Sequence, residues 1–203
     1  MYTTLPSFVL GFHGCDQSVA DSVVAGRSQL VHSSNDYDWL GNGIYFWEND
    51  PHRALEYATM LRDHPRHPNR RITNPAVLGA VIDLGHCLNL MEAATLDLLG
   101  SAYETLTVLL GAAGEMLPTN VEGAREGKDL LVRRLDCAVI EFLHKEYGER
   151  KFDTVRGLFF EGDDLYPNAG FRARNHIQIC VRNPNCIKGY FLPREPDTDY
   201  RIP

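Results

Sequence analysis

The sequence predicts an α+β domain in which strands and helices are interspersed without the regular alternation of a doubly wound sheet. Three observations predict it. Short runs of β-branched and aromatic residues recur along the whole chain: SFVLGFH, IYFW, PAVLGAVIDLG, TVRGLFF, HIQICVR and CIKGYF. Two long central stretches instead carry apolar residues at helical spacing. The 203 residues are 44% hydrophobic and 23% charged, which suits one globular domain spanning 1–203 with its own core.

In chain order, SFVLGFH reads as a short buried strand. The following CDQSVADSVVAG reads as a helix capped near Asp16 and stopped by Gly26, so the His13-Gly14 step falls where strand gives way to helix. The turn-rich HSSNDYDWLGNG leads into the apolar IYFW. Asn49 or Asp50 then caps a second helix with Pro51 in its first turn and Ala54, Tyr57, Ala58 and Leu61 on one side. PAVLGAVIDLG is a strong strand, its β-branched residues set in an unbroken apolar run. Two helices are expected next, over 91–111 with Leu99, Tyr103, Leu106 and Leu110 on one stripe, and over 129–144 with Leu131, Leu135, Val139 and Phe142. Strands resume as TVRGLFF, HIQICVR and CIKGYF, the first two separated by the loop EGDDLYPNAGFRARN.

Composition narrows the function classes. Cys15, Cys87, Cys137, Cys180 and Cys186 form no CxxC pair and leave one over, which argues against a disulfide framework or a zinc site and for a reducing cytoplasm. No run approaches the roughly 20 apolar residues of a membrane span, and the first residues lack a basic leader pattern. A formal charge of −7 gives no global attraction to nucleic acid. A local basic segment does exist, with Arg62, His64, Arg66, His67, Arg70 and Arg71 among Pro65 and Pro68, and it reads as a solvated loop or a phosphate grip.

Three remote segments carry residues suited to a flat amide and a ribose. In Phe12-His13-Gly14-Cys15, glycine lets the backbone come close to a ligand. In LGNGIYF, residues 40–46, Tyr45 follows a glycine turn, and Tyr57 lies on the next helix. Two tyrosines sandwiching a cationic ring would each contribute about 0.5–2 kcal/mol. In HIQIC, Gln178 is a polar residue between Ile177 and Ile179, able to bond a hydroxyl or simply to face water.

Together these segments resemble the ADP-ribosyltransferase superfamily, in its poly(ADP-ribose)-polymerase-like and diphtheria-toxin-like branch with a His-Tyr-Glu triad. His13-Gly14-Cys15 matches the family's HG(S/T/C) pattern, and residues 40–46 match (F/L)GxGIYF almost letter for letter. The resemblance implies a split mixed β-sheet around an NAD cleft, with inserted helices. It implies a catalytic set of His13, Tyr45 and Gln178, and NAD contacts from His13, Gly14, Cys15, Gly43, Tyr45 and Tyr57. His13 would bond the adenosine-side ribose, Gly14 backbone groups the carboxamide, and the two tyrosines would stack on nicotinamide. No metal is implied.

The chain departs from the family at the third triad position, where glutamine replaces glutamate. Glutamine supplies no negative charge to a ribose becoming cationic as nicotinamide leaves, but it can still accept a hydroxyl hydrogen bond. Glu161, Asp163 and Asp164 in the preceding loop are candidate replacement carboxylates, and Glu161, Tyr166, Phe171, Arg172 and Arg174 a candidate acceptor surface. The implied activity is mono-ADP-ribosyl transfer from NAD to a protein or nucleic acid acceptor, by analogy with compact toxins or defence effectors held by an antitoxin partner. An inactive NAD or ADP-ribose reader and an NAD glycohydrolase are the alternatives.

Overall fold

A computed structural model describes residues 8–65, 71–122, 129–146 and 151–201. The chain is a mixed α+β protein built on a seven-stranded sheet. Its strands are β1 (Phe8–Asp16), β2 (Ile44–Glu48), β3 (Pro75–Asp83), β4 (Cys87–Asn89), β7 (Thr154–Phe159), β8 (His176–Val181) and β9 (Ile187–Phe191), in the order β4-β7-β8-β2-β1-β3-β9. The β4–β7 pair is parallel and the other pairs are antiparallel. A small separate ladder joins β5 (Asn120–Val121) to β6 (Val132–Arg133).

The helices form for local reasons. In α1 (Gln17–Val24), one Asp16 carboxylate oxygen accepts from Ser18 N at 3.0 Å, satisfying an orphan donor of the first turn. The other Asp16 oxygen accepts from Thr73 N at 2.7 Å and Asn74 N at 3.0 Å, fastening this cap to the start of β3. The Ser18 hydroxyl, which donates to Asp16 at 2.7 Å, and those backbone hydrogen bonds hold the Asp16 carboxyl well below its ordinary value. At α2 (Pro51–Asp63) the cap is Asp50, which accepts from Arg53 N at 2.9 Å, while Asn49 takes the left-handed turn at φ 54°. The central helices are α3 (Ala93–Ala113) and α4 (Arg134–Glu146). The second begins later than residue 129 because Val132 and Arg133 pair in β6, so Leu131 precedes the helix.

Cross-strand register sorts side chains onto two faces. On one face Phe46, Leu78, Ile82, Ile179 and Val181 pack with Ala20 and Val23 of α1. On the other, Phe12 and Trp47 pack under Ala54 of α2, and Val155, Phe159 and Cys180 pack under Val139, Ile140 and Leu143 of α4. α3 lies against α4 and contributes Ala102 and Leu106. Tyr103, expected on the buried stripe, is 42% exposed: Ala102 rather than Tyr103 joins Leu99, Leu106 and Leu110 in the cluster with α4. His13 differs from expectation too: β1 runs three residues beyond it because pairing with β3 continues to Asp16↔Pro75. Among the described residues no helix is long and apolar enough to cross a membrane.

Candidate functional site

The three expected segments lie on adjacent strands, β1, β2 and β8. Between β1 and β2 the ladder holds for two pairs only, Gly11↔Glu48 and Phe12↔Trp47, and then opens. His13 sits at the opening. Its Nδ1 lies 2.8 Å from the Tyr45 carbonyl oxygen and its ring meets Phe46 edge-on at 5.8 Å between centroids. Burial pushes its pKa down, partly offset by that hydrogen bond.

Tyr45 is the register partner of Cys180, and its hydroxyl turns back into its own loop. It donates to Gly41 O at 2.6 Å and accepts from Leu40 N at 2.8 Å. Burial raises its pKa well above the ordinary value, so the phenol stays protonated. Gln178 is the register partner of Trp47 on one side and Gly157 on the other. Its side chain meets His176, with Nε2 to Nε2 at 3.0 Å. The polar atoms of His13, Tyr45 and Gln178 therefore have separate partners, although their strands are neighbours. Alternation puts His13 with Phe46 and Leu78 on the α1 face, and Tyr45 and Gln178 on the other.

The expected tyrosine sandwich also takes a different form. Tyr57 packs on Trp47, with ring centroids 5.0 Å apart, rather than on Tyr45. Gly14, expected to receive a ligand, meets the second helix: a Cβ there would lie 2.1 Å from Ala54 O. Gly43 has a similar structural reason, since a Cβ would lie 2.5 Å from Cys180 Sγ. Cys15 is buried on the α1 face, and desolvation lifts its thiol to about 11. All five cysteines are free thiols.

What the fold does assemble beside Gln178 is a polar and aromatic cluster. Glu161 Oε2 lies 3.1 Å from an Arg53 guanidinium nitrogen, Glu161 Oε1 lies 3.3 Å from Arg174, and His176 Nδ1 is 4.0 Å from Glu161 Oε2. The Arg53 and Glu161 side chains are only 14% and 15% exposed, so water screens them weakly. His176 is enclosed by Trp39, Trp47 and Phe159, and Arg133 sits over the Trp39 and Phe159 rings. Burial lowers the His176 pKa and Arg53 adds to this, against the opposing effects of the Arg174 carbonyl and Glu161.

The loop before β8 is firmly tied. Asp129 accepts from Gly162 N at 2.7 Å and from Arg172 at 2.7 Å. Of the five residues expected to face an acceptor, Glu161 turns inward, Arg172 and Arg174 are ion-paired, and Tyr166 and Phe171 stand 55% and 61% exposed. Asp163 and Asp164 are exposed on the same loop. In the basic segment, Arg62 pairs with Asp63 at 2.8 Å and Arg71 is exposed, while Arg66, His67, Pro68 and Arg70 lie outside the described residues. Two shallow, open surface depressions lie elsewhere, one on the outer side of α2 along Glu56, Met60 and Asp63, the other between Asn35, Asn42 and Arg134.

Sequence reasoning missed Arg53, Trp47 and His176 as site residues. The signal for the last two was available: each lies two positions along a strand from an expected site residue, on the same face.

Fold and cluster define a class: an α+β protein whose mixed sheet opens at one ladder and carries an ion-paired, aromatic-walled polar cluster beside it. No protein-family model matches the chain. It is 24% identical over 194 residues to a Methanocaldococcus jannaschii protein named "Uncharacterized protein MJ0359", an alignment covering 87% of this chain and 83% of that one.

Proposed function

We propose that the chain is an ADP-ribosyltransferase-like protein that binds NAD and transfers its ADP-ribose to a macromolecular acceptor. The observation that carries this reading is the adjacency of β1, β2 and β8, which bear His13, Tyr45 and Gln178, with the ladder open at His13. Strand adjacency brings three motifs remote in sequence to one part of the sheet, with Tyr45 and Gln178 on the α2 face and His13 on the α1 face.

The donor and acceptor chemistry fits NAD on the α2 side of the sheet. Tyr57, partly exposed and packed on the buried Trp47, offers an aromatic face to nicotinamide. Gln178 Oε1, with no hydrogen bond among the described residues, can accept from a ribose hydroxyl. Arg53 is ion-paired with Glu56 and Glu161, and Arg174 with Glu161; a diphosphate would have to replace those carboxylates to reach the two guanidiniums. Bound there, NAD would supply a glycosidic bond to a good leaving group. Here His13 serves by holding β1 and β2 at their separation, and Tyr45 by fixing the loop that includes Leu40 and Gly41.

A second reading is a binding module for NAD or ADP-ribose without turnover. The neutral Gln178 favours it, because an amide does not stabilise positive charge developing on ribose. Adenine-labelled NAD incubated with the protein and a cell lysate tests both. Transfer expects label on a macromolecule with release of nicotinamide, both lost in Gln178→Ala and Tyr57→Ala. Calorimetric binding of NAD with no product supports the module, and absence of binding overturns both readings.

A further inference from the structure

We propose that His176 is a positioning residue that locks the Gln178 amide in one orientation, leaving Gln178 Oε1 and Trp47 Nε1 as an acceptor and a donor for a neutral hydroxyl-bearing ligand. The identity of that ligand as NAD rests on the reading above; the geometry does not.

Hydrogen bonding settles the tautomer. His176 Nδ1 lies 2.8 Å from Arg174 O, and a carbonyl only accepts, so Nδ1 carries the hydrogen. A neutral imidazole then has a lone pair at Nε2. Gln178 Nε2, 3.0 Å away, donates into it. The reverse amide orientation would set Oε1 against that lone pair, so the carbonyl end faces outward and makes no hydrogen bond among the described residues.

Directly across the ladder stands Trp47, only 6% exposed, whose Nε1 is buried with no acceptor among the described residues. A buried indole N–H lacking a partner calls for an oxygen to fill the place. An unmet donor and an unmet acceptor on facing residues match an O–H group, which both donates and accepts; a phosphate or carboxylate would meet Oε1 unfavourably.

The imidazole must stay neutral for this to work. Its side chain is wholly buried. The charged groups facing it are Arg53 and Asp50 from the α2 end and Glu161 from the loop before β8, where Arg174 meets it through its backbone carbonyl. Protonation would place a second N–H against the Gln178 amide and drive it away.

The test is a long-range proton–nitrogen NMR correlation on the full chain labelled with 15N. At neutral pH His176 is expected to be protonated at Nδ1 and bare at Nε2, and the Gln178 side-chain NH2 signal is expected to move in step with the His176 titration. A hydrogen at Nε2, or a Gln178 signal indifferent to that titration, overturns the positioning role whether or not NAD binds. With NAD as probe, His176→Phe is expected to weaken binding about tenfold, while His176→Gln, which restores an acceptor, recovers most of it. Equal losses in two folded variants would overturn the role. Failure of the wild-type chain to bind NAD would instead overturn the reading of function, with the tautomer measurement still deciding the role of His176.

Discussion

His13 Nδ1 lies 2.8 Å from the Tyr45 carbonyl oxygen, so a side chain takes over from the β-ladder where β1 and β2 part. Removing the ring strands a partly buried carbonyl and strips a contact from Phe46. His13→Ala should therefore lower stability by about 1–3 kcal/mol, read as a shift in the urea midpoint. An unchanged midpoint would show that the imidazole bears no structural load. Loss of NAD binding in this variant must be judged against that shift.

Much of the fold was legible because its signals are local. Asp16 and Asp50 sit directly before helices they cap, and the apolar run from Pro75 to Asp83 forms the long strand expected of it. The short strands β4, β5 and β6 escaped because two or three residues carry no period; they exist through partners such as Thr154 and Arg133. The site was legible as segments but not as contacts. Nothing in IYFW distinguishes Trp47, with a bare indole N–H, from a core tryptophan, and the Arg53–Glu161 pair joins residues 108 positions apart. Gly14 was read for ligand approach, yet the closeness of α2 is a tertiary fact.

The glycines separate packing from propensity. At Gly14 a Cβ would lie 2.1 Å from Ala54 O, a backbone atom that moves only if α2 moves. Gly14→Ala should cost about 1–3 kcal/mol or more through overpacking. Gly100, inside α3, has nothing within 4 Å of its would-be Cβ. Gly100→Ala should stabilise by about 1 kcal/mol through helix propensity. Thermal unfolding of the two variants should move in opposite directions, and parallel shifts would contradict the placement of α2.

Acid should destabilise the protein well before its carboxylates titrate. His13, His144 and His176 all have pKa values lowered from 6.5 in the folded chain, each chiefly by burial. The unfolded chain then binds protons first as pH falls. Above about pH 6.5 both states hold these rings neutral and stability is level; below it, stability declines until the folded-state pKa values are passed. Each ring contributes a slope of up to about 1.4 kcal/mol per pH unit. Chemical denaturation at a series of pH values between 7 and 5 measures it. A flat profile would mean the rings are not buried as described.

Gln178→Glu should couple two changes that the wild-type chain keeps apart. A carboxylate about where the amide now stands, 3.0 Å from His176 Nε2, favours the imidazolium, so the His176 pKa should rise from its lowered value. The new pair would be charged at mildly acid pH, and the decline in stability attributable to His176 should shrink, because the folded state then takes up that proton more readily. On the proposed reading, the same carboxylate puts negative charge at the position where the wild-type chain has a neutral amide. Nicotinamide release from NAD should therefore increase by an order of magnitude or more over wild type. It should also climb with pH as His176⁺ loses its proton and stops neutralising Glu at 178. Rates measured from pH 5 to 8 beside the NMR titration of His176 would link the two. A raised pKa with no gain in release would leave Gln178 next to His176 but away from any reacting bond.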